Sequence, residues 1–280
     1  MPGGTLLRLA AFTTDPTGGN PAGVWIGDQL PTSETMQRVA AEVGYSETAF
    51  VAPALGAERT IRYFSPATEV PFCGHATIAT GVALGEREGD GVYHLATSVG
   101  VVPVVTTTRE GRRWASLTSV APRQEPVAEE LVDSVRSLLG WAPDALDPSI
   151  PPVRAYAGAW HLVLATTSPA VLNAPLVYDF DRLLAVMLEA GLVTLQLIFR
   201  DTPTSFQARN PFPVGGVVED PATGAAAAAL AGYLRDADLI PVPARVTIRQ
   251  GEAMGRPSRL EVEIPERGGI ILSGTAVPLP

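Results

Sequence analysis

Four side chains in this sequence have a type and setting suited to moving protons or to reactivity: Glu47, His75, Asp220 and Cys73. Glu47 stands between Ser46 and Thr48 at the start of a predicted strand, just ahead of an apolar run. A carboxylate partly withdrawn from water holds a proton more readily and suits a general base; the plainer role is an exposed turn residue. His75 follows Gly74 at the start of a predicted helix, where it is either a site residue or a donor to a loop carbonyl. Asp220 precedes Pro221, which suits the first position of a helix, so it is an N-cap, a substrate partner, or both. Cys73 is either a reactive thiol at a helix start or a small buried hydrophobe. His94 and His161 lie within strand patterns and read as structural. Three dispersed histidines and one cysteine show no metal-ligand spacing. Gly44-Tyr45-Ser46-Glu47-Thr48 lacks the closing glycine of a nucleophile elbow.

Two apolar stretches must position these groups. Glu219–Asp236 reads EDPATGAAAAALAGYLRD, and from Ala225 to Leu234 its only polar side-chain group is the Tyr233 hydroxyl. Five consecutive alanines favour a helix, and a helix apolar on every face is buried on every face. The run falls short of the roughly 18 apolar residues that span a bilayer. Pro71–Leu84 (PFCGHATIATGVAL) has the same character: a glycine beside polar groups, then an apolar helix. The first N–H groups of a helix lack intrahelical partners and form a ready anion site. The two stretches read either as an internal duplication, with the two helix starts facing each other, or as two unrelated core helices.

Composition narrows the classes. The chain has 280 residues, 46% hydrophobic and 18% charged, with a net charge of −9. That suits one large or two medium domains with a sizeable core and argues against nucleic acid and anionic membrane surfaces as partners. One cysteine precludes an intrachain disulfide and fits a reducing, cytoplasmic setting. The stretch MPGGTLLRLAAFTTD lacks a basic start followed by a long apolar core, so no signal peptide is expected. All 20 basic residues are arginine. Without lysine there is no Schiff base for pyridoxal phosphate and no Walker-type phosphate loop.

In chain order, Thr5–Phe12 and Val24–Gly27 predict a hairpin around the turn-rich Thr14–Gly23. Ser33–Val43 predicts an amphipathic helix capped by Ser33. Strands are expected over Thr48–Ala52, Thr60–Phe64, Gly91–Thr97, Val101–Thr108 and Trp114–Val120. The second half predicts a helix over Val127–Leu139, a strand pair or one long strand over Arg154–Thr166, and a helix over Asp179–Ala190. Further strands follow over Thr194–Arg200, Arg245–Gln250, Arg259–Ile264 and Gly269–Val277. The pattern is α+β rather than a regular doubly wound alternation.

GNPAGV (Gly19–Val24), YSETAFV (Tyr45–Val51), RYFSPATEVPFCGHAT (Arg62–Thr77), EDPATGAA (Glu219–Ala226), GYL (Gly232–Leu234) and QGEAMGRPS (Gln250–Ser258) together resemble the phenazine-biosynthesis isomerase family, the PhzF-like proteins. The blocks run in family order over nearly the whole chain. The resemblance implies the diaminopimelate epimerase-like fold, shared with proline racemase: two similar halves, each a curved, mostly antiparallel sheet wrapped round a central buried helix. It implies halves of residues 1–122, completed by a strand within 268–280, and 123–267. It also implies cofactor-free proton-shift chemistry in which Glu47 is the acid/base and His75 and Asp220 are its polar or proton-handling partners. Asn20, Cys73, Gly74, Thr223, Gly224 and Ala225 become substrate-binding positions, with the helix-start amides holding a substrate carboxylate. A homodimer is expected by resemblance only.

Two departures bear on substrate. The family often has serine where this chain has Ala225, so one hydroxyl contact to its reference anthranilate-type substrate is missing. Cys73 falls where related epimerases carry one of two catalytic cysteines, and a two-thiol racemase mechanism is excluded because no second cysteine exists. The sequence therefore predicts a cofactor-independent isomerase of a small carboxylic acid, with no metal. An epimerase or racemase of an amino or hydroxy acid, and a non-catalytic metabolite-binding protein on the same scaffold, are the alternatives.

Overall fold

A computed structural model describes residues 3–54 and 56–280; Met1 and Pro2, the start of the stretch read for a leader, lie outside them. The chain divides into two units: residues up to Thr118 together with Ser273–Pro280, and Ser119–Leu272.

In the first unit, β1 (Gly4–Ala11) and β2 (Asn20–Gly27) form an antiparallel hairpin. Helix α1 (Ser33–Val43) crosses over to β3 (Glu47–Pro53), which lies parallel to β2. β4 (Glu58–Phe64) runs antiparallel to β3, with the short β5 (Glu69–Val70) against it. Helix α2 (Gly74–Glu88) then crosses to β6 (Gly91–Thr97), parallel to β4, and β7 (Gly100–Arg109) and β8 (Arg112–Thr118) follow antiparallel.

The second unit opens with β9 (Arg123–Glu125) and α3 (Glu129–Leu138). β10 (Val153–Tyr156) and β11 (Trp160–Ala165) are a hairpin, which settles the alternatives left open over Arg154–Thr166. The short α4 (Pro169–Leu172) and α5 (Phe180–Glu189) cross over to β12 (Thr194–Thr202), parallel to β11. β13 (Ser205–Phe212) pairs antiparallel with β12 and with β14 (Val217–Asp220). Helix α6 (Gly224–Asp236) crosses to β15 (Ala244–Gln250), parallel to β13, and β16 (Ser258–Ile264) turns back antiparallel. β17 (Ile271–Pro278) belongs almost wholly to the first unit, where it pairs with β1 and β8.

The two units thus repeat one order of elements: hairpin, crossover helix, parallel strand, antiparallel strand, short return strand, buried helix, parallel strand, antiparallel strand. The fold is α+β, and each half wraps a mostly antiparallel sheet round one central helix. In the first unit the sheet closes through β17 into an eight-stranded barrel, so none of these strands is left as an edge.

Covering explains the sequence patterns. β2 is buried on both faces because α2 packs inside it and α1 outside; Met36, Val39 and Ala40 of α1 sit against Trp25, Phe50 and Phe64. A strand covered twice reads as a continuous apolar run. β6 and β7 are covered only from within, so they alternate: Leu95 and Val104 are buried while the cross-strand neighbours Val92 and Val105 are exposed. In the second unit Val135 of α3 and Leu183 and Met187 of α5 pack over Leu162, Leu164, Leu195 and Leu197.

Helix α2 is buried from His75 to Gly85 and α6 from Ala226 to Leu234. The small side chains let the strands come close. A Cβ on Gly81 would meet Val104 Cγ1 at 2.6 Å and Ala115 Cβ at 2.8 Å, which explains a glycine in mid-helix despite a propensity cost of about 1 kcal/mol. The hydroxyls inside α2 are satisfied locally: Thr77 and Thr80 donate to the carbonyls of Cys73 and Ala76. Gly81→Ala is expected to destabilise the protein by about 1–3 kcal/mol through overpacking, read as a lower urea midpoint; an unchanged or raised midpoint would show that β7 and β8 can give way.

Local departures have local causes. The cap of α1 is Thr32 rather than Ser33, since the Thr32 side chain accepts from the Thr35 N–H. β8 stops at Thr118, before the predicted Val120. Asp220 does not cap a helix. It ends β14 opposite Asn210, and α6 starts at Gly224 with Thr223 as its N-cap residue.

Candidate active site

In the first unit, Glu47 opens β3 and Cys73 is the N-cap residue of α2, followed by Gly74 and His75. Folding β3 onto β4 and β4 onto β5 returns the chain so that α2 begins beside the start of β3. Glu47 Oε2 lies 3.5 Å from His75 Nε2, Ser46 Oγ lies 3.4 Å from the same nitrogen, and Cys73 Sγ lies 3.3 Å from His75 Nδ1. The His75 side chain is 7% exposed and that of Glu47 17%, so the carboxylate is largely, though not wholly, screened from water. Asn20 is buried at the start of β2, two residues before Ala22, the register partner of Glu47. Two strand residues advance about 6.5 Å, which sets Asn20 beside the start of β3.

In the second unit, Thr223 Oγ1 donates to Asp220 Oδ2 at 2.5 Å. Gln250, at the end of β15, stitches this loop down. Its Nε2 donates to the Asp220 carbonyl at 2.8 Å and to Thr223 Oγ1 at 3.1 Å, while its Oε1 accepts from the Thr223 N–H. Gly251 follows at φ +76, where a Cβ would meet the carbonyl oxygens of Arg256 and Pro221 at 2.3 and 2.8 Å. Sequence reasoning passed over Gln250 and Ser46 as site residues. Gln250 stood inside the QGEAMGRPS block, and Ser46 inside the discarded elbow pattern.

The sequence-predicted residues therefore divide between the units. Asn20, Glu47, Cys73, Gly74 and His75 belong to the first; Asp220, Thr223, Gly224 and Ala225 belong to the second.

The starts of α2 and α6 share a feature absent from the other described α-helices. Each lacks both a side-chain cap and an acidic residue in its first turn. The other four have a capping Thr, Ser or Asp, an acidic first turn, or both. Neither buried helix thus carries a capping or acidic side chain of its own in its first turn, while a carboxylate from outside the helix, Glu47 at α2 and Asp220 at α6, stands near each start; a helix start of this kind favours negative charge. A Cβ built on Gly74 meets nothing within 4 Å, so the space over that helix start is open.

The other two histidines lie apart from these groups in their bonding. His94 is exposed on β6. His161 is fully buried, with Nδ1 2.7 Å from Thr194 Oγ1, and burial pushes its pKa down to about 3. The folded state therefore takes up this proton far less readily than the unfolded chain, whose imidazole has its ordinary value near 6.5. The resulting stability is complete above about pH 6.5 and is lost as the pH falls from there toward 3. Unfolding free energy is expected to drop by about 2–3 kcal/mol from this group between pH 7 and 4.5. His161→Asn should flatten that slope in urea melts; an unchanged slope would assign acid sensitivity to other groups.

A family model described as phenazine biosynthesis-like protein, PhzC-PhzF, matches residues 9–279. The chain belongs to the phenazine biosynthesis-like family. Trans-2,3-dihydro-3-hydroxyanthranilate isomerase from Pseudomonas aeruginosa is 32% identical over 255 residues, covering 90% of this chain and 87% of that protein. A PhzF-family structure from Bacillus anthracis superposes with a TM-score of 0.88 at 27% identity, covering 100% of this chain and 98% of that one. A hydroxyproline epimerase from Agrobacterium vitis shares the fold at a TM-score of 0.66 and 15% identity, covering 99% and 91% of the two chains. The curated relatives of this family member are named isomerases, and the protein is one. Among the described residues no helix is long and apolar enough to cross a membrane.

Proposed function

We propose that the protein is a cofactor-independent isomerase that shifts a proton between two carbons of a small carboxylic acid, with Glu47 as the acid/base. The observation that carries this reading is the convergence of Glu47, Ser46 and His75 beside the uncapped, open start of α2. The Glu47 carboxylate removes a proton from an activated C–H, and the electron pair left behind spreads into the conjugated system and carboxylate of the substrate. The Gly74 and His75 N–H groups face that developing charge with the positive end of α2 behind them. The protonated Glu47 then returns the proton to another carbon, leaving the enzyme unchanged. His75, in contact with the same carboxyl oxygen, holds Glu47 in place through both states. In the second unit, Asp220 is proposed as a further polar group toward substrate, its loop fixed by Gln250.

The test is solvent deuterium incorporation, measured by mass spectrometry on small unsaturated carboxylic acids with trans-2,3-dihydro-3-hydroxyanthranilate included. Incorporation that Glu47→Gln abolishes supports the reading; incorporation that survives it unchanged removes Glu47 from the role. Epimerisation at a single carbon is the second reading, because Cys73 Sγ at 3.3 Å from His75 Nδ1 supplies another proton-handling group. Loss of optical rotation with unchanged connectivity would favour it. The partner expected under either reading is a small carboxylic acid, and a homodimer is the proposed assembly.

A further inference from the structure

Sequence spacing showed no metal site, yet the fold sets a thiol, an imidazole and a carboxylate against one another. Ligand atoms of Glu47, Cys73 and His75 all lie within 4.8 Å of one another. His75 Nε2 is 3.9 Å from Cys73 Sγ and 3.5 Å from Glu47 Oε2. A tetrahedral zinc ion with bonds of about 2.3 Å to sulfur and about 2.0–2.1 Å to nitrogen and oxygen requires S···N near 3.5 Å and N···O near 3.3 Å. The three donors are thus gathered in one place, but Cys73 Sγ also lies 3.3 Å from His75 Nδ1, beside the ring rather than ahead of the Nε2 lone pair, so closing a three-ligand set on Nε2 requires the Cys73 side chain to turn about its χ1 bond. Cys73 is fixed as the N-cap residue of α2, His75 by burial in its first turn, and Glu47 by the β3 pairing to β2.

We propose that Glu47, Cys73 and His75 form a binding site for a zinc-class divalent ion, with the fourth position open to water or a ligand carboxylate, and that such an ion inhibits the isomerase. The mixed sulfur, nitrogen and oxygen donors select zinc-class ions over magnesium or calcium, which take oxygen ligands. Binding requires only the three side chains together and does not depend on Glu47 being the base. Inhibition does rest on that reading, because the ion occupies the Glu47 oxygen.

Cobalt(II) is the probe, because it accepts zinc's four-coordinate sites and a thiolate ligand gives it a near-ultraviolet charge-transfer band. The chain has one cysteine, so any such band belongs to Cys73. The band is expected to saturate at one Co²⁺ per chain, to vanish on adding Zn²⁺, and to be absent in Cys73→Ser. His75→Gln and Glu47→Gln, checked for native circular dichroism, should each weaken binding at least about tenfold, as loss of one of three ligands implies. No band at saturating Co²⁺, or a band whose affinity neither variant changes, would overturn the site. A full band with undiminished deuterium exchange would leave the site standing and instead sink the assignment of Glu47 as base.

Discussion

Glu47→Gln is expected to lower the rate of solvent deuterium incorporation by about 10²- to 10⁴-fold, the usual contribution of a positioned acid/base group. Glutamine keeps the shape of the side chain and its reach to His75 but cannot take up the substrate proton. The loss should therefore fall on kcat, with KM little changed, because the carboxylate-binding start of α2 is untouched. Glu47 opens a strand whose first pairing is Ala22↔Glu47, so the substitution leaves the backbone register alone and the fold should persist. A loss carried wholly by KM would instead identify Glu47 as a binding group.

The largest stability effect is expected at Arg209. This side chain and Glu219 are 7% and 5% exposed and form a two-pronged ion pair, with Nε to Oε1 at 2.9 Å and Nη2 to Oε2 at 2.5 Å. Arg209 Nη1 also donates to the carbonyls of Leu172 and Ala174. Arg209→Met leaves a buried carboxylate without its partner and two carbonyls without a donor, which costs about 3–5 kcal/mol. The double change Arg209→Met with Glu219→Leu removes both charges and should recover much of the loss, because a buried pair is often matched by apolar packing. Urea melts of the two variants check this; a single variant no worse than the double would show that water reaches Glu219. Glu219 immediately precedes Asp220, so this pair also anchors the strand end that presents Asp220.

The parts of the fold legible in sequence were those that one segment decides. The apolar run from Ala225 to Leu234 announced α6 because no polar side chain could face water, and the same logic found α2. Thr32 and Ser33 offer adjacent hydroxyls, and only the backbone geometry selects the first as the cap. Asp220 looked like a helix cap because Pro221 follows it. Its place at the end of β14, in register with Asn210 on β13, is a choice made by sheet pairing and invisible in the local residues. The candidate site divides in the same way. The residue types of Glu47 and His75 and the helix starts were readable. The approach of Ser46 and Glu47 to His75 was not, because it arises from strand pairings that close a loop of nearly thirty residues, whereas Cys73 reaches His75 from two positions away. Gln250 escaped notice for the same reason: its role depends on reaching a loop 27 and 30 residues upstream.

The placing of β17 has a consequence for synthesis. The second unit runs without interruption from Ser119 to Leu272, whereas the first needs the residues that come after it. On the ribosome, the segment that includes Glu47 and His75 emerges early, yet β1 and β8 still await the strand that joins them. Until translation reaches β17, a nascent chain exposes two unsatisfied strand borders while the later-made half is free to finish, and it is in that interval that chaperones would find it.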